Sequence, residues 1–349
     1  MTRSLLAQRL TAQLLAGRPA RRVTDVVRRL LAVQAQDPRG MRLAVRARSS
    51  GLTAADVDRA LTEDRSVVVT TLNRGTLHLV LAEDYWWLHP LTTPQLSVGN
   101  LRRLAQEQVG PDEADRGVEV VEQTLAANGP MTRAQLREAL AAAGIRVVGQ
   151  ALPHLLLLAT IRGLVVRGPL LGTEHAFVLV RDWLGRPPAP VEPEVALAEL
   201  ARRYLAGHGP ADAADLARWA GITLGNARRG LAAVRTTPWE GSGLLRLPGH
   251  PGAAELPPPR LLGSFDPSLL GWVSRETIVG AHQGIVTDNG LFRPFAMVDG
   301  RAVAVWSLTG SRLAVRPLEP IDPEVNAALD ADGREVLRFL GRDVDLPAD

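Results

Sequence analysis

The chain has 349 residues, 46% of them hydrophobic, a formal net charge of +3, no cysteine and no lysine, so that all 40 basic positions are arginine. The first absence excludes disulfides and thiolate metal sites, and the second excludes any lysine side chain as Schiff base or general base. The charge is uneven: residues 1–50 hold eleven arginines against Asp25 and Asp37, a net of +9 that leaves −6 for the rest, which is the footprint of a nucleic-acid binder or of a solvated arginine-rich helix face.

Helical periodicity covers 3–16 and 25–34, the second segment behind a capping Thr24. The first is interrupted by Gln8, Arg9 and Gln13, and no run of eighteen apolar residues follows anywhere, so neither a secretory signal nor a membrane span is expected and a cytoplasmic protein fits. The second runs into RRLLAVQAQDPRG, residues 28–40. On a helix, side chains at i and i+2 point roughly 200° apart, so Gln34 and Gln36 share a site only if the helix gives way. Pro38 disfavours the helical conformation at Asp37, which predicts a helix end near Gln36 with splayed amides able to hold a water or a base. A polar helix terminus is the plainer alternative.

Thr53 caps AADVDRALTED, after which the period becomes two: SVVVTTL and TLHLVL flank NRG, a β-hairpin with Gly75 at its turn. Helices followed by a hairpin make a winged helix, whose helix can enter a DNA groove while the hairpin touches backbone or minor groove. The pattern recurs at GPMTRAQLREALAAAGI and GPADAADLARWAGI, each with a cap, Thr132 or Asp212, before its helix, and each followed by a further helix and strand-like runs. GRPPAPVEPE links the two repeats. Later runs FRPFAMV, AVAVWSL and RLAVRPL are separated by DGR and TGS, and VGAHQGIVTDNG before them is a candidate protruding loop. The expected fold is α+β, with three tandem winged-helix units over 1–110, 111–186 and 191–250, then a small C-terminal antiparallel β-sheet or partial barrel over 255–349.

The seven histidines form no H-E-x-x-H, and no P-loop, dinucleotide fingerprint or G-x-S-x-G elbow occurs, so a metal hydrolase, nucleotide motor or serine hydrolase is disfavoured and no cofactor is expected. Nucleic-acid binding remains. LLAVQAQDPRG followed by LNRGTLHLVLAEDYWWLHP, and LLGSFDPSLLGWVSRETIV followed by GLFRPFAMVDGRAVAVW, resemble the winged-helix DNA glycosylases of the AlkZ and YcaQ type, in the same order from about Leu5 to Pro317. The resemblance implies removal of alkylated bases, including bulky N7-guanine adducts and interstrand crosslinks, from double-stranded DNA. It makes Gln34 and Gln36 the catalytic pair, as in the glutamine-x-glutamine, azinomycin-resistance branch, and implies self-resistance to a genotoxic product or general repair.

An N7-alkylguanine is cationic and already a good leaving group, so two amides that position water and stabilise an oxocarbenium through their dipoles suffice. Without a lysine amine, hydrolysis without strand cleavage is expected. Candidate DNA contacts are Arg39, Arg42 and Arg46 after the glutamines, Asn73 and Arg74 on the first wing, and His282 and Gln283 in the C-terminal loop. His78 alternates with apolar residues as a core histidine would, Trp86 and Trp87 are stacking or packing residues, Asp37 reads as a cap or a partner of Arg39 or Arg42, and Asp266 as a turn or cap residue. With no heptad segment, a monomer is expected. The rival is a non-enzymatic winged-helix transcriptional regulator, in which the glutamines are merely polar; a scaffold that sequesters the genotoxin is a third reading.

Overall fold

The computed structural model describes residues 3–172, 174–249, 252–282, 284–287 and 289–342, in which helices alternate with antiparallel sheets in a mixed α and β fold. The backbone groups into two units, Met1–Val57 with Leu197–Asp349, and Asp58–Ala196. Among the described residues no helix is long and apolar enough to cross a membrane.

The chain opens with α1 (Arg3–Ala12), which stops short of Ala16 because Leu14 turns to a left-handed φ of 60°. Then come α2 (Val23–Leu30), an extended pair β1 (Val33–Gln34), α3 (Pro38–Arg46) and α4 (Ala54–Thr62). Thr24 lies inside α2 rather than capping it; the extended Arg22 occupies the cap position and pairs with Asp25 at 2.9 Å.

In the second unit, β2 (Val67–Leu72) and β3 (Thr76–Leu81) form the first hairpin, with Asn73 and Gly75 at φ 53° and 81° in its turn. Helices α5 (Ala82–Thr92), α6 (Leu96–Gln106), α7 (Pro111–Asn128), α8 (Arg133–Ala142) and α9 (Ala151–Ile161) follow, then the hairpin β4 (Val165–Leu171) with β5 (Glu174–Leu179), and the single turn α10 (Val180–Trp183). The two hairpins join through β2 and β4 in the order β3-β2-β4-β5. Every residue of β2 is buried, and the strand is interior to its sheet, between β3 and β4. Its VVVTTL composition suits that place: β-branched residues with no charge among them fill a strand covered on both faces. Val118, Val121, Leu136, Leu140, Leu152 and Leu155 make the helical core beside it.

The chain continues through α11 (Pro193–His208), α12 (Ala213–Ala220), α13 (Leu224–Ala232) and a short hairpin, β6 (Thr237–Trp239) with β7 (Leu244–Arg246). The two sequence repeats prove alike in detail. Thr132 and Gln135 form a reciprocal capping box at α8, and Asp212 and Asp215 form one at α12. The residue before each box is bridged to its own hairpin, Met131 to Phe177 and Ala211 to Leu245.

Last come β8 (Arg260–Leu262), the short α14 (Glu276–Val279), β9 (Phe295–Val298), β10 (Arg301–Thr309), β11 (Arg312–Pro317) and α15 (Pro323–Phe339). The strands form one antiparallel sheet in the order β11-β10-β9-β8, the small sheet expected there. The C-terminal region is not all β, however: α15 carries a stripe of Leu329, Gly333, Val336 and Leu337, and its Asp332 accepts the Leu261 amide of β8 at 2.7 Å.

Candidate active site

The helix that leads to the two glutamines ends at Leu30, well before Gln36. Leu30, Leu31, Ala32 and Val33 are all buried in succession, which one stripe of a helix cannot provide, and the chain leaves the helix through Leu31 at φ 64°. The end is received by α11: Arg203 donates to the Arg28 carbonyl at 3.1 Å and Arg29 to that of Ala206 at 3.3 Å. A Cβ on Gly207 would lie 2.2 Å from the Arg29 carbonyl oxygen, so glycine is required at this crossing.

Beyond Leu31 the backbone is extended, and the period of two brings Gln34 and Gln36 to one side. Gln34 Nε2 donates to Gln36 Oε1 at 2.6 Å. Gln34 is 5% exposed while Gln36 is exposed, so the pair spans from the protein interior to its surface. The convergence comes from an extended strand rather than from a splayed helix end, and Pro38 has a different job: it is the first residue of α3, capped by Asp37, whose side chain accepts the Arg39 amide at 2.9 Å.

The segment after Gln36 is held by the stretch LGSFDP. Ser264 Oγ donates to the second Asp37 carboxylate oxygen. Gly40 lies so close that a Cβ there would sit 2.4 Å from the Ser264 carbonyl oxygen. One layer deeper, Arg48 makes two hydrogen bonds of 2.8 and 2.9 Å to Asp266, and it also donates to Gln13 Oε1 and to the Ala44 carbonyl, each at 3.0 Å. Asp266 also caps the following turn by accepting the Ser268 amide, and Gln13 donates to the Pro267 carbonyl. Burial alone would raise the Asp266 carboxyl, but the charge and hydrogen bonds of Arg48, with those of Ser268, hold it below the ordinary value.

Arg39, Arg42 and Arg46 share one helical face by their spacing, but their roles differ. Arg39 reaches the Leu308 carbonyl of β10 at 3.1 Å, and Arg42 returns to the Pro38 carbonyl at 2.8 Å. Arg46 binds both carboxylate oxygens of Asp332, with the two side chains only 10% and 16% exposed, and so is a structural strut rather than an open phosphate ligand. His282 Nε2 lies 3.1 Å from Glu319 Oε2, while Gln283 falls outside the described residues.

Asn73 and Arg74 belong to the second unit. Asn73 is fully buried, and among the described residues its side-chain amide has no partner; Arg74 is half-buried. His78 is a core histidine, its Nδ1 2.9 Å from the Thr76 carbonyl, with burial and then the Arg74 charge pushing it down to about 3. Trp87 donates to Asp84 and Trp86 packs edge-on against Tyr85, so both have packing roles. The described residues contain no cluster of acids and histidines able to hold a metal.

Ser264, Arg48 and Gln13 carry no local signal for these roles, since their partners Asp37, Asp266 and Pro267 lie 227, 218 and 254 residues away.

The chain is similar to known proteins over almost its whole length. A family model described as DNA glycosylase AlkZ-like matches residues 27–339. An interstrand DNA cross-link repair glycosylase of Streptomyces sahachiroi is 28% identical over 97% of this chain and 96% of its own length. The solved structure of Streptomyces sahachiroi DNA glycosylase AlkZ superposes with a TM-score of 0.78 and 25% identity, covering 97% of this chain and 96% of that one. From the amide pair to the C-terminal helix, the chain belongs to the AlkZ-like DNA glycosylase family.

Proposed function

We propose that this glycosylase is monofunctional and hydrolyses the N-glycosidic bond of bulky or crosslinking N7-alkylpurine adducts in double-stranded DNA, with Gln34 and Gln36 as its catalytic pair. The observation that carries the reading is their 2.6 Å amide contact on an extended segment that runs from interior to surface. Neither amide takes a proton at neutral pH, and an N7-alkylguanine does not ask for one. As C1′–N9 breaks, the electron pair goes to N9 and cancels the ring charge, so the base leaves neutral. A water held at the amides bonds to C1′ and releases its proton to solvent, while the amide dipoles face the developing oxocarbenium. With no lysine in the sequence, no side-chain amine forms the imine that strand cleavage requires. The cross-link activity in the name of the Streptomyces relative supports crosslinked adducts as the substrate class.

In this reading the chain is three winged-helix units and a C-terminal β region acting as a monomer, with Arg39, Arg42, Arg74 and His282 as its proposed DNA contacts. The test is base release from a duplex bearing a stable N7-alkylguanine, with strand scission by alkali afterwards, for the wild type and for Gln34→Ala and Gln36→Ala. Release by the wild type that falls by about 10²-fold or more in either variant, at unchanged DNA affinity, is expected. No release by the wild type from simple or bulky adducts overturns the proposal in favour of a DNA-binding regulator.

A further inference from the structure

The chain leaves α2 through a turn that leucine seldom makes. Leu31 stands at φ 64° and ψ −47°, and the Ala32 amide donates to the Leu30 carbonyl at 2.8 Å, which together make the rare, positive-φ form of the three-residue γ-turn. A bulky side chain at positive φ crowds its own backbone, and such residues persist only where their surroundings over-determine them. Gln34 stands three residues further on.

Two sets of contacts hold the turn closed. Its own residues are sealed in: Leu30 and Leu31 have no exposed surface, and Ala32 and Val33 are buried beside them. The last turn of α2 is then fastened to α11, where Arg203 donates to the Arg28 carbonyl and Arg29 to that of Ala206, at a crossing so close that only Gly207 fits. Arg203 is itself buried and is steered by Glu199, one turn earlier on α11, at 3.8 Å. The far end of the amide segment is pinned as well, by Asp37 to Ser264, and the residue after Ser264 is another bulky one at positive φ, Phe265 at 55°. At about 3.3 Å per residue Gln34 lies about 10 Å from the turn, so a rotation of about 10° at Leu31 moves it by about 2 Å. With both ends held, any such movement is taken up between them, at the two amides.

We infer that Leu31 and Arg203 are positioning residues for the glycosylase reaction: the strained turn sets where Gln34 meets Gln36, and α11, through Arg203, keeps the turn from relaxing. This rests on the two amides being the catalytic pair, as proposed above. Its effect falls on the chemical step, where a small misplacement of reacting groups is costly, and not on the affinity for duplex.

The test measures the single-turnover rate of base release, duplex affinity, the unfolding midpoint and, in protein labelled with nitrogen-15, the side-chain amide resonance of Gln34, identified by its absence in Gln34→Ala. In the wild type that resonance should lie downfield and exchange slowly with solvent, as its short donated hydrogen bond requires. Arg203→Met should lose this signature and slow base release on the order of 10²-fold at unchanged duplex affinity. Arg203→Lys, which still offers donors to the Arg28 carbonyl, should regain most of the rate. Adding Leu31→Gly to Arg203→Met should raise the rate again while lowering the midpoint further, because glycine takes positive φ without strain but fills no core. Leu329→Ala, at a buried position of α15, is the control for lost stability and should keep the wild-type rate. A wild-type rate in Arg203→Met, an equal rate loss in Leu329→Ala, or a further rate loss on adding Leu31→Gly overturns the inference. Should Arg203→Met not fold, Arg203→Gln takes its place with the same expectations. Absence of base release by the wild type defeats the proposed reaction, and the Gln34 resonance in Arg203→Met then decides by itself whether this turn sets the amide pair.

Discussion

Arg48 and Asp266 face one another with no exposed side-chain surface on either, joined by two parallel hydrogen bonds and extended through Gln13 to the turn that follows α1. The pair connects the end of α3 to the GSFDP stretch, the same two segments that Asp37 and Ser264 connect nearer the amides. Breaking a buried pair by removing one partner strands a charge in a dry site, which costs about 3–5 kcal/mol. Asp266→Ala should therefore lose that much stability in a denaturant titration. Arg48→Met/Asp266→Leu, which leaves no charge behind, should lose clearly less. Equal losses in the two variants would show that packing rather than charge is at stake.

Acid should destabilise the protein well above the carboxylate range, because of two histidines. Burial pushes both His208 and His78 down to about 3. His208 is stacked on Tyr204 at 4.8 Å and lies among Trp219 and Trp272, surroundings that solvate no extra charge. Both are neutral when folded but take up a proton when unfolded below about 6.5, so the unfolded state binds more protons between about 6.5 and 3. Stability therefore falls as pH falls through that window, by up to about 1.4 kcal/mol per pH unit for each histidine. His208→Phe should flatten the dependence of the unfolding midpoint on pH between 6.5 and 4. A curve as steep as the wild type's would remove His208 from the explanation.

Ser264 should act on the reaction through Asp37. Losing its hydroxyl leaves Asp37 capping α3 but frees the residue next to Gln36 to shift. Ser264→Ala should lower the single-turnover rate of base release by about 10-fold with DNA affinity unchanged, in keeping with the sensitivity of reactions to small misplacement. Gly40→Ala forces a methyl group against the Ser264 carbonyl and should combine a similar rate loss with about 1–3 kcal/mol of instability. Rates within twofold of the wild type for both would show that the amide pair does not depend on this clamp.

Arg42 and Arg46 should separate cleanly in salt. Arg46→Ala should cost about 2 kcal/mol or more in stability, since it leaves a largely buried Asp332 unpaired, and should leave the salt slope of DNA binding unchanged. Arg42→Ala should leave the unfolding midpoint in place and lower the slope by ~0.9. The reverse assignment would place Arg46, not Arg42, at the phosphates.

Local chemistry determined a large part of this protein. The Thr132 and Asp212 caps, the turn at Gly75 and the strands 295–298, 301–309 and 312–317 depend on residues close in sequence, and they are where the periodicities put them. The order of the motifs was enough to name the family. Tertiary structure decided what the amides do with that inheritance. Four successive buried residues, Leu30 to Val33, end α2 early, and only the extended chain that follows brings Gln34 and Gln36 to one side. The same competition for burial made β2 an interior strand and withdrew Arg46 and Arg48 from the surface. A hydrogen-bond pattern among neighbours can be read from a few residues. Which face of a strand, or which arginine, is left to water depends on partners hundreds of positions away, and folding alone supplies them.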